Sequence, residues 1–328
     1  MSSEVKCQAI VVEKTGGPEV LQLKDVTLPA PWEGTLLVKL HAAGVNPVDT
    51  YIRGALEGYA PPVLPYTPGI DGAGVVEAVG PGVKRLAVGD RVYVTGTFTG
   101  TYATKAICAE DRVQKLPENV SFAEGASLGI PMGTAYRAIV QKGHGRPGEK
   151  VLIHGASGQV GLSAVKMASD MGMAVFGTVG SSEGETLVRK AGAEKIYNHE
   201  AAGYAEEMTR DHPGGFDMIL EMLANVNLQR DLELLAKGGR VIVIGSRDDV
   251  TITPRLLMAK EASIIGILLL YVTPPEWVEI HAAITAGLKE RRLVPVVDKE
   301  LPLSEASKAH RDIINRPGGA KGNIVLVT

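Results

Sequence analysis

Cysteine is scarce in this chain of 328 residues, in which Cys7 and Cys108 are the only two. Two cysteines cannot form a disulfide framework or a four-thiolate zinc site, and such sparse use is typical of a reducing compartment. We therefore expect a cytoplasmic protein. Aromatic residues make up 5% of the sequence, and the formal net charge is −3. Neither value indicates a basic, aromatic nucleic-acid surface, and we expect no DNA partner.

Long apolar runs are also missing. The longest candidate, residues 263–272, is too short to span a bilayer, and the first residues carry no hydrophobic signal segment. We therefore expect no membrane partner. Apolar residues at 45% and charged residues at 22% are ordinary values for a globular protein, and the length allows two domains.

Glycine, by contrast, is abundant, and three glycines are placed where a nucleotide-binding fold needs them. The apolar run at 151–153 precedes Gly155, Gly158 and Gly161, and apolar residues at helical spacing follow. Dinucleotide-binding folds use a strand, a tight glycine turn and a helix N-terminus in this order to hold a pyrophosphate. The spacing is G-x-x-G-x-x-G rather than the commoner G-x-G-x-x-G, so an ordinary glycine-rich connection is the alternative.

Apolar runs and helical patterns alternate after this turn. The runs lie at 174–178, 217–221 and 239–245, and the helical patterns lie at 183–191, 202–210 and 228–236. This alternation predicts a doubly wound parallel sheet of the Rossmann type, which binds its ligand beyond the carboxyl ends of the strands. Gly180, Asn227 and Gly245 follow apolar runs closely, so we expect them to contact the nucleotide.

The end of the second predicted strand favours NADPH over NADH. NAD sites usually place an Asp or Glu there to hold the ribose 2′-hydroxyl. This strand instead ends in Gly180, Ser181 and Ser182, and the nearest acid, Glu183, falls in the next helix. The serine hydroxyls can bond a 2′-phosphate that no carboxylate repels. Alternatively, Ser181 serves only as the N-cap of that helix.

Residues 1–125 have a different character. Short strand-like runs are separated by turns rich in proline and glycine, which predicts a mostly antiparallel β lobe. Mixed character returns after residue 265. We therefore predict a catalytic domain in two parts, 1–127 and 267–328, with a Rossmann NADPH-binding domain at 128–266 inserted between them.

This layout resembles the medium-chain dehydrogenase/reductase superfamily, and within it the zeta-crystallin-type NADPH:quinone reductases. The matching segments include HAAGVNPVDTYIR at 41–53, PYTPGIDGAGVVEAVG at 65–80, EMLANVNL at 221–228 and GGRVIVIGSR at 238–247. The resemblance implies an α/β fold with a Rossmann sheet inserted in a GroES-like, mostly antiparallel catalytic domain. It also implies NADPH-dependent reduction of a small-molecule quinone.

The same resemblance predicts that no metal is bound. Zinc-holding members of the superfamily bind catalytic zinc through Cys, His and Cys, and the matching positions here are Asn46, Ile70 and Ile130. None of these side chains replaces a thiolate or an imidazole. Without a Lewis acid, alcohol–ketone interconversion loses its main electrophile, whereas a quinone accepts a hydride readily.

The site residues implied by the resemblance fall into two groups. Tyr51 and Asn46 are the catalytic candidates, placed to hydrogen-bond a quinone oxygen, and Tyr51 is also expected near the nicotinamide ribose. Gln159 stands where the family often has glycine. The expected cofactor contacts are Tyr51, Ser157, Gly158, Gln159, Val160, Gly180, His199, Asn227, Ile244, Gly245, Ser246, Arg247, Ile267, Leu268 and Leu269.

Other functions stay open from the sequence. The superfamily includes NADPH-dependent reductases of activated C=C bonds in 2-alkenals or enoyl thioesters. Zeta-crystallins also have binding and structural roles, as lens proteins or as binders of AU-rich RNA. The resemblance further implies a homo-oligomer, a dimer or a tetramer. Residues 263–272 would supply an edge strand that pairs with a second subunit, or else a strand buried within one chain.

Overall fold

The computed structural model describes residues 4–316 and 318–328 of the chain. Its strands, numbered in chain order, are β1 (Val5–Val11), β2 (Gln22–Leu28), β3 (Thr35–Val45), β4 (Asp71–Val79), β5 (Arg91–Thr95), β6 (Lys105–Ala109), β7 (Val113–Lys115), β8 (Lys150–Ile153), β9 (Ala174–Val179), β10 (Lys195–Asn198), β11 (Phe216–Glu221), β12 (Leu235–Val243), β13 (Ser263–Gly266), β14 (Val297–Pro302) and β15 (Asn323–Val327).

The structure also contains α-helices and a short π-helical stretch, Arg137–Lys142. No helix of the described chain has the length and apolar character needed to cross a membrane. The α-helices are α1 (Pro47–Arg53), α2 (Phe122–Gly125), α3 (Gly129–Tyr136), α4 (Gln159–Asp170), α5 (Ser182–Ala191), α6 (Tyr204–Asp211), α7 (Ala224–Leu234), α8 (Pro254–Lys260), α9 (Pro274–Lys289) and α10 (Ala306–Asn315).

The chain forms two compact units. The first consists of residues 4–130, 294–316 and 323–328, and the second of residues 131–293 and 318–322. The chain thus enters the second unit twice, the second time through a five-residue segment near the C-terminus.

These units do not divide the chain where the sequence-based domains do. The predicted Rossmann domain ends at residue 266, whereas the second unit continues to residue 293 and takes in α9. The predicted boundaries follow changes in the character of the sequence and stay a prediction, whereas the units reflect spatial compactness.

The first unit is built mainly from antiparallel strands, as the sequence predicts. Its larger sheet has the order β14-β15-β3-β4-β5-β7, with β6 also paired to β3, and β1 and β2 form a separate hairpin. Only the β14–β15 pair is parallel among the described pairs of this sheet. The central strand β3 is buried along most of its length, because it reads Thr-Leu-Leu-Val with few charges and is paired on both sides.

The second unit contains a parallel sheet with the order β10-β9-β8-β11-β12-β13. This is the doubly wound arrangement predicted from the alternating runs, and its ligand edge is formed by the carboxyl ends of the strands. Val151, Leu152 and Ile153 in β8 are fully buried, as expected for a central strand covered on both faces. The order places β8, β9 and β11 side by side, so the loops after these strands meet at one edge.

Candidate cofactor and substrate site

The glycine turn after β8 has the geometry of a phosphate-binding turn. Gly155 has φ of +56°, and the Ala156 amide donates to the Thr178 carbonyl at 2.9 Å, which fixes the turn against β9. Gly158 is the N-cap of α4. The first N–H groups of a helix have no intrahelical acceptor and can bind an anion. The turn and α4 therefore fit the pyrophosphate of a dinucleotide.

Gly161 explains how α4 packs so closely on this turn. A Cβ at this position would lie 2.6 Å from both Ala156 Cα and the Gly155 carbonyl oxygen. The neighbouring Gln159 is only 5% exposed, so the side chain that replaces the usual glycine is buried. The backbone of the turn thus keeps its close approach to the helix in spite of the substitution.

Ser181 is the N-cap of α5. Its Oγ accepts the Gly184 amide hydrogen at 3.2 Å, which confirms the capping role that the sequence left as an alternative. A hydroxyl that accepts one hydrogen bond still carries a proton to donate, so capping does not exclude contact with a phosphate.

Gly180 and His199 lie together at the end of β9. A Cβ at Gly180 would lie 2.8 Å from His199 Nε2, so the absence of a side chain makes room for the imidazole. The His199 side chain is 38% exposed. Burial lowers its pKa, so the ring is neutral at physiological pH and offers stacking and hydrogen bonding rather than charge.

Lys321 was missed by the sequence analysis, which found no basic residue within reach of a 2′-phosphate. The segment 318–322 returns to the glycine turn, where the Gly322 amide donates to the Ser157 carbonyl at 2.8 Å. Lys321 Nζ lies 3.8 Å from Glu183 Oε1, beside the first turn of α5. The only signal in the sequence is the glycine-rich segment 318–322, GGAKG, which allows a close approach of two backbones. The sequence does not show which segment it approaches, because Ser157 and Gly322 are far apart in the chain.

The loops after β11 and β12 are linked to each other. Ala224 donates its amide hydrogen to the Gly245 carbonyl at 2.9 Å, and Asn225 donates to Ser246 Oγ at 3.1 Å. The Arg247 amide in turn donates to Asn225 Oδ1 at 3.1 Å. The predicted contacts of these loops therefore lie at one edge of the sheet.

Asn227 lies inside α7, whose N-cap is Leu223, because this helix begins four residues before the helical pattern predicted at 228–236. Its Nδ2 donates to Glu221 Oε1 at 3.3 Å. The helix begins before Asn227 because Ala224 is already bonded to the neighbouring loop.

The remaining predicted contacts, Ile267 to Leu269, follow β13. The Ile267 amide donates to the Val243 carbonyl at 3.0 Å, which extends the pairing of β12 and β13. Leu269 is buried, and a Cβ on Gly133 would lie 3.1 Å from its Cδ2. Ile267 and Leu268 are partly exposed at the same edge of the sheet, whereas Leu269 packs inside the second unit.

A buried ionisable cluster lies beneath this edge. His154 Nε2 is 2.9 Å from Asp231 Oδ1 and 3.6 Å from Glu221 Oε2, and all three side chains are buried. Burial lowers the pKa of His154, but the two carboxylates outweigh it and the net pKa is raised. Burial raises the pKa of Glu221 to about 7.

The cluster also fixes the loop that follows β11. Glu221 Oε1 accepts hydrogen bonds from the Leu223 amide and from Asn227 Nδ2. Among the described residues, His154, Glu221 and Asp231 form the group of potential metal ligands whose atoms lie within 4.8 Å of one another. Glu221 connects this group to the loop expected to contact the nicotinamide.

In the first unit, Tyr51 and Asn46 both belong to the start of the chain's first helix. Asn46 is the N-cap of α1, and Tyr51 lies one turn further on, partly buried with its ring 5.6 Å from that of Tyr59. Asn46 is only 2% exposed. Its amide Nδ2 donates to Asp71 Oδ2 at 2.9 Å, so this side chain is already held by a carboxyl group.

Two buried carboxyl groups flank Asn46. Asp49 Oδ2 accepts the Asn46 backbone amide hydrogen at 2.9 Å and the Tyr102 hydroxyl at 3.0 Å. Asp71 accepts the Ile130 amide hydrogen as well as the Asn46 side chain. Burial raises the pKa of Asp49 to about 7 and that of Asp71 to about 8. Neither Asp49 nor Asp71 was among the site residues predicted from the sequence.

A hydrogen-bond chain extends from Asp49 into the first unit. Tyr102 is bonded to His310 Nε2 at 3.1 Å, and His310 Nδ1 lies 2.8 Å from Arg53 Nη1. Burial and the nearby Arg53 lower the pKa of His310 to about 3, so the ring is neutral. Because arginine only donates, His310 Nδ1 is the acceptor and the ring proton is assigned to Nε2. His310 then donates to the Tyr102 hydroxyl, which donates to Asp49 Oδ2.

The first unit also contains a pocket of about 640 Å³. Its lining combines apolar residues such as Ile70 and Phe98 with the hydroxyl groups of Thr97 and Thr99, and Asp49 contributes to its wall. Ile70 is one of the three positions matched to metal ligands. The wall of the pocket thus includes Asp49, which accepts the backbone amide hydrogen of Asn46.

Comparison with known proteins supports the resemblance inferred from the motifs. Residues 33–118 match the family Alcohol dehydrogenase GroES-like domain, and residues 160–286 match the family Zinc-binding dehydrogenase. Human quinone oxidoreductase is 46% identical over 323 residues, which cover 98% of this chain and 97% of the human protein.

Solved structures agree on the fold. Escherichia coli quinone oxidoreductase complexed with NADPH matches with a TM-score of 0.88 at 28% identity, covering 98% of this chain and 100% of that one. A NAD-dependent alcohol dehydrogenase matches with a TM-score of 0.89 at 27% identity, covering 98% and 99%.

The near-complete coverage at this identity settles the family. The chain carries both the GroES-like and the dehydrogenase segments, and it has Asn46, Ile70 and Ile130 at the positions matched to zinc ligands. The chain belongs to the quinone oxidoreductases, in the zinc-free part of the medium-chain dehydrogenase/reductase superfamily.

Proposed function

We propose that this protein transfers a hydride from NADPH to small quinones without the help of a metal. The observation that carries the proposal is the composition of the three positions matched to zinc ligands. Asn46 and Ile130 are bonded to the Asp71 carboxyl group, and Ile70 is apolar. No Lewis acid ligand set is offered there, which suits an acceptor that is already strongly electrophilic.

The cofactor-binding part of the proposal rests on the second unit. The turn at Gly155–Gly158 and the N-terminus of α4 would hold the pyrophosphate, and Ser181 with Lys321 would hold the 2′-phosphate. Gly180 and His199 would border the adenosine, and Asn227, Gly245 and their neighbours the nicotinamide. NADPH supplies the hydride when it is bound.

The acceptor part of the proposal rests on the first unit. Tyr51 is partly buried on α1 and can donate a hydrogen bond to a quinone oxygen, while Asn46 supports the start of that helix. The pocket lined by Ile70 and Phe98 has the mixture of apolar surface and hydroxyl groups that suits a flat aromatic acceptor.

We further propose a cytoplasmic homo-oligomer. Cys7 and Cys108 are both unpaired, as is usual in a reducing compartment. β13 lies at the edge of the parallel sheet and is available to pair with the same strand of a second subunit.

The test is a comparison of acceptors and cofactors. NADPH oxidation would be followed with 1,2-naphthoquinone, with a 2-alkenal, and with NADH in place of NADPH, all with a chelator present. Rapid, chelator-resistant and NADPH-selective reduction of the quinone is the expected result. Turnover of the alkenal alone would instead identify a reductase of activated double bonds. NADPH binding without turnover would point to a binding or structural role, and AU-rich RNA would then be titrated against NADPH.

A further inference from the structure

We propose that Asp71 is the positioning residue of this site: its carboxyl group joins the chain segments that a zinc ion joins in zinc-holding relatives. The inference rests on the proposed function, because the segments it joins carry the acceptor-binding candidates Asn46 and Tyr51. Asp71 itself does not need to touch the acceptor.

Three chain segments meet at this carboxyl group. Asp71 is covalently next to Ile70, one of the three matched positions. Asp71 Oδ2 accepts the Asn46 Nδ2 hydrogen at 2.9 Å, and the carboxyl oxygens lie 3.0 and 2.9 Å from the Ile130 amide nitrogen. Through Asp71, all three positions matched to zinc ligands are therefore linked, although none of them carries a metal-binding side chain.

The surroundings leave no room for a larger group at this place. Asp71 is fully buried, and a Cβ on Gly129 would lie 2.2 Å from Asp71 Oδ1. A Cβ on Gly44 would lie 3.2 Å from Asp71 Cβ. A buried carboxyl group is unfavourable unless its hydrogen bonds are made, so its bonds to Asn46 and Ile130 are what makes it tolerable here.

The bonds fix Asn46 from two sides. Asp71 holds its side-chain amide, and Asp49 Oδ2 holds its backbone amide at 2.9 Å. Asn46 is the N-cap of α1, so its position sets where the helix starts and where Tyr51 is presented. Misplacement of a substrate-positioning group by about 1 Å costs on the order of 100-fold in rate.

The experiment exchanges donor and acceptor between the two side chains. Asp71→Asn keeps the shape, but its NH₂ group meets a donor in either orientation. At the position of Oδ2 it faces the NH₂ group of Asn46, and at the position of Oδ1 it faces the Ile130 amide. The double variant Asp71→Asn with Asn46→Asp restores a donor opposite an acceptor. Asp90→Asn is the control, because Asp90 also accepts a backbone amide in this unit, that of Ala87, but lies in another loop.

We expect Asp71→Asn to lower kcat/KM for 1,2-naphthoquinone by about 10- to 100-fold, with the Kd for NADPH unchanged. The double variant should recover at least about tenfold of this loss, and Asp90→Asn should retain the wild-type kcat/KM.

Two results would overturn the proposal. One is an Asp71→Asn enzyme with the wild-type kcat/KM. The other is a double variant that melts as high as wild type and recovers no activity. If the wild type reduces no quinone, the proposed function fails instead, and the same variants are then compared with the acceptor that is turned over.

Discussion

At the scale of single residues, we propose that Ser181 and Lys321 determine which nicotinamide cofactor this edge of the sheet prefers. The Ser181 Oγ already accepts the Gly184 amide hydrogen and so caps α5. Its hydroxyl proton is still free to form a hydrogen bond to a 2′-phosphate. Lys321 adds a positive charge beside the same helix turn, where its partner Glu183 is exposed and 3.8 Å away. Such an exposed pair is weak, so the ammonium group is available to a phosphate.

Lys321→Gln should therefore weaken NADPH and leave NADH almost unchanged. A charge-assisted hydrogen bond contributes about 1.5–3 kcal/mol, which corresponds to an increase of roughly 10- to 100-fold in KM for NADPH. Steady-state kinetics with both cofactors would measure it. Lys237→Gln, which removes an exposed lysine paired with Glu261 in the same unit, is the control. Equal losses with NADPH and NADH would contradict the role of Lys321.

Asp49 makes stability depend on pH in a defined direction. Its folded pKa of about 7 is above the ordinary value near 3.9, because burial favours the neutral acid. The folded state therefore holds a proton that the unfolded state releases. The contribution of Asp49 to stability is complete below about pH 4 and is lost as the pH rises to about 7, by at most about 1.4 kcal/mol per pH unit.

Asp49→Asn removes this dependence while keeping a side chain of the same shape. The free energy of unfolding of the variant minus that of the wild type should therefore increase from pH 5 to pH 8. Urea unfolding at both pH values measures this difference. Asp90→Asn should show no such change in this range, because the hydrogen bond from the Ala87 amide lowers the pKa of Asp90 and its contribution is lost only as the pH falls below about 4. Parallel pH profiles for Asp49→Asn and wild type would refute the assignment.

At the scale of elements, α4 and its glycine turn form one unit of structure. The helix approaches the turn so closely that any side chain at Gly161 would overlap the backbone of Ala156. The Gly155 and Ala156 amides of this turn also donate hydrogen bonds to Thr178 in β9. The strand, turn and helix must therefore shift together or not at all.

Gly161→Ala should lower the melting temperature and weaken NADPH binding. Overpacking of this kind costs about 1–3 kcal/mol, and here it displaces the helix N-terminus from the pyrophosphate. Gly214→Ala is the matched control, since no atom lies within 4 Å of its added Cβ. Calorimetry and NADPH fluorescence titration would measure both effects. Equal behaviour of the two variants would show that α4 can move without loss.

Some of the strands of the second unit could be predicted from the sequence and others could not. Buried parallel strands appear as continuous apolar runs, so β8, β9 and β11 were predicted to within one or two residues. The start of β12 was not predicted, because the apolar run begins at residue 239 whereas the strand begins at Leu235. Leu235 pairs with Phe216 before an irregularity in the register, and no sequence pattern marks this pairing. The return of Lys321 to the glycine turn and the bonds of Asp71 to Ile130 link residues far apart in the chain, and no local pattern encodes them.

At the scale of the molecule, β13 stands at the end of the strand order and has no partner on its outer edge among the described strands. β13 is paired with β12 on one side, and the Ile267 amide donates toward β12. Because successive amides of a strand point to opposite sides, the Gly266 amide points away from β12. Ile264 and Ile265 are only partly buried. An edge of this kind is a template for pairing with a second copy across a two-fold axis.

Gly266→Pro should therefore convert a dimer into a monomer. Proline removes the outward amide hydrogen and its ring blocks the approach of a second strand, while no core side chain is lost. Gly266→Ala keeps the amide, and its added Cβ meets no atom within 4 Å, so this variant should remain dimeric. Light scattering coupled to size-exclusion chromatography distinguishes the two. A monomeric wild type or a dimeric Gly266→Pro variant would mean that β13 does not form the subunit interface. If the wild type is a tetramer and Gly266→Pro is a dimer, a second interface must exist elsewhere in the molecule.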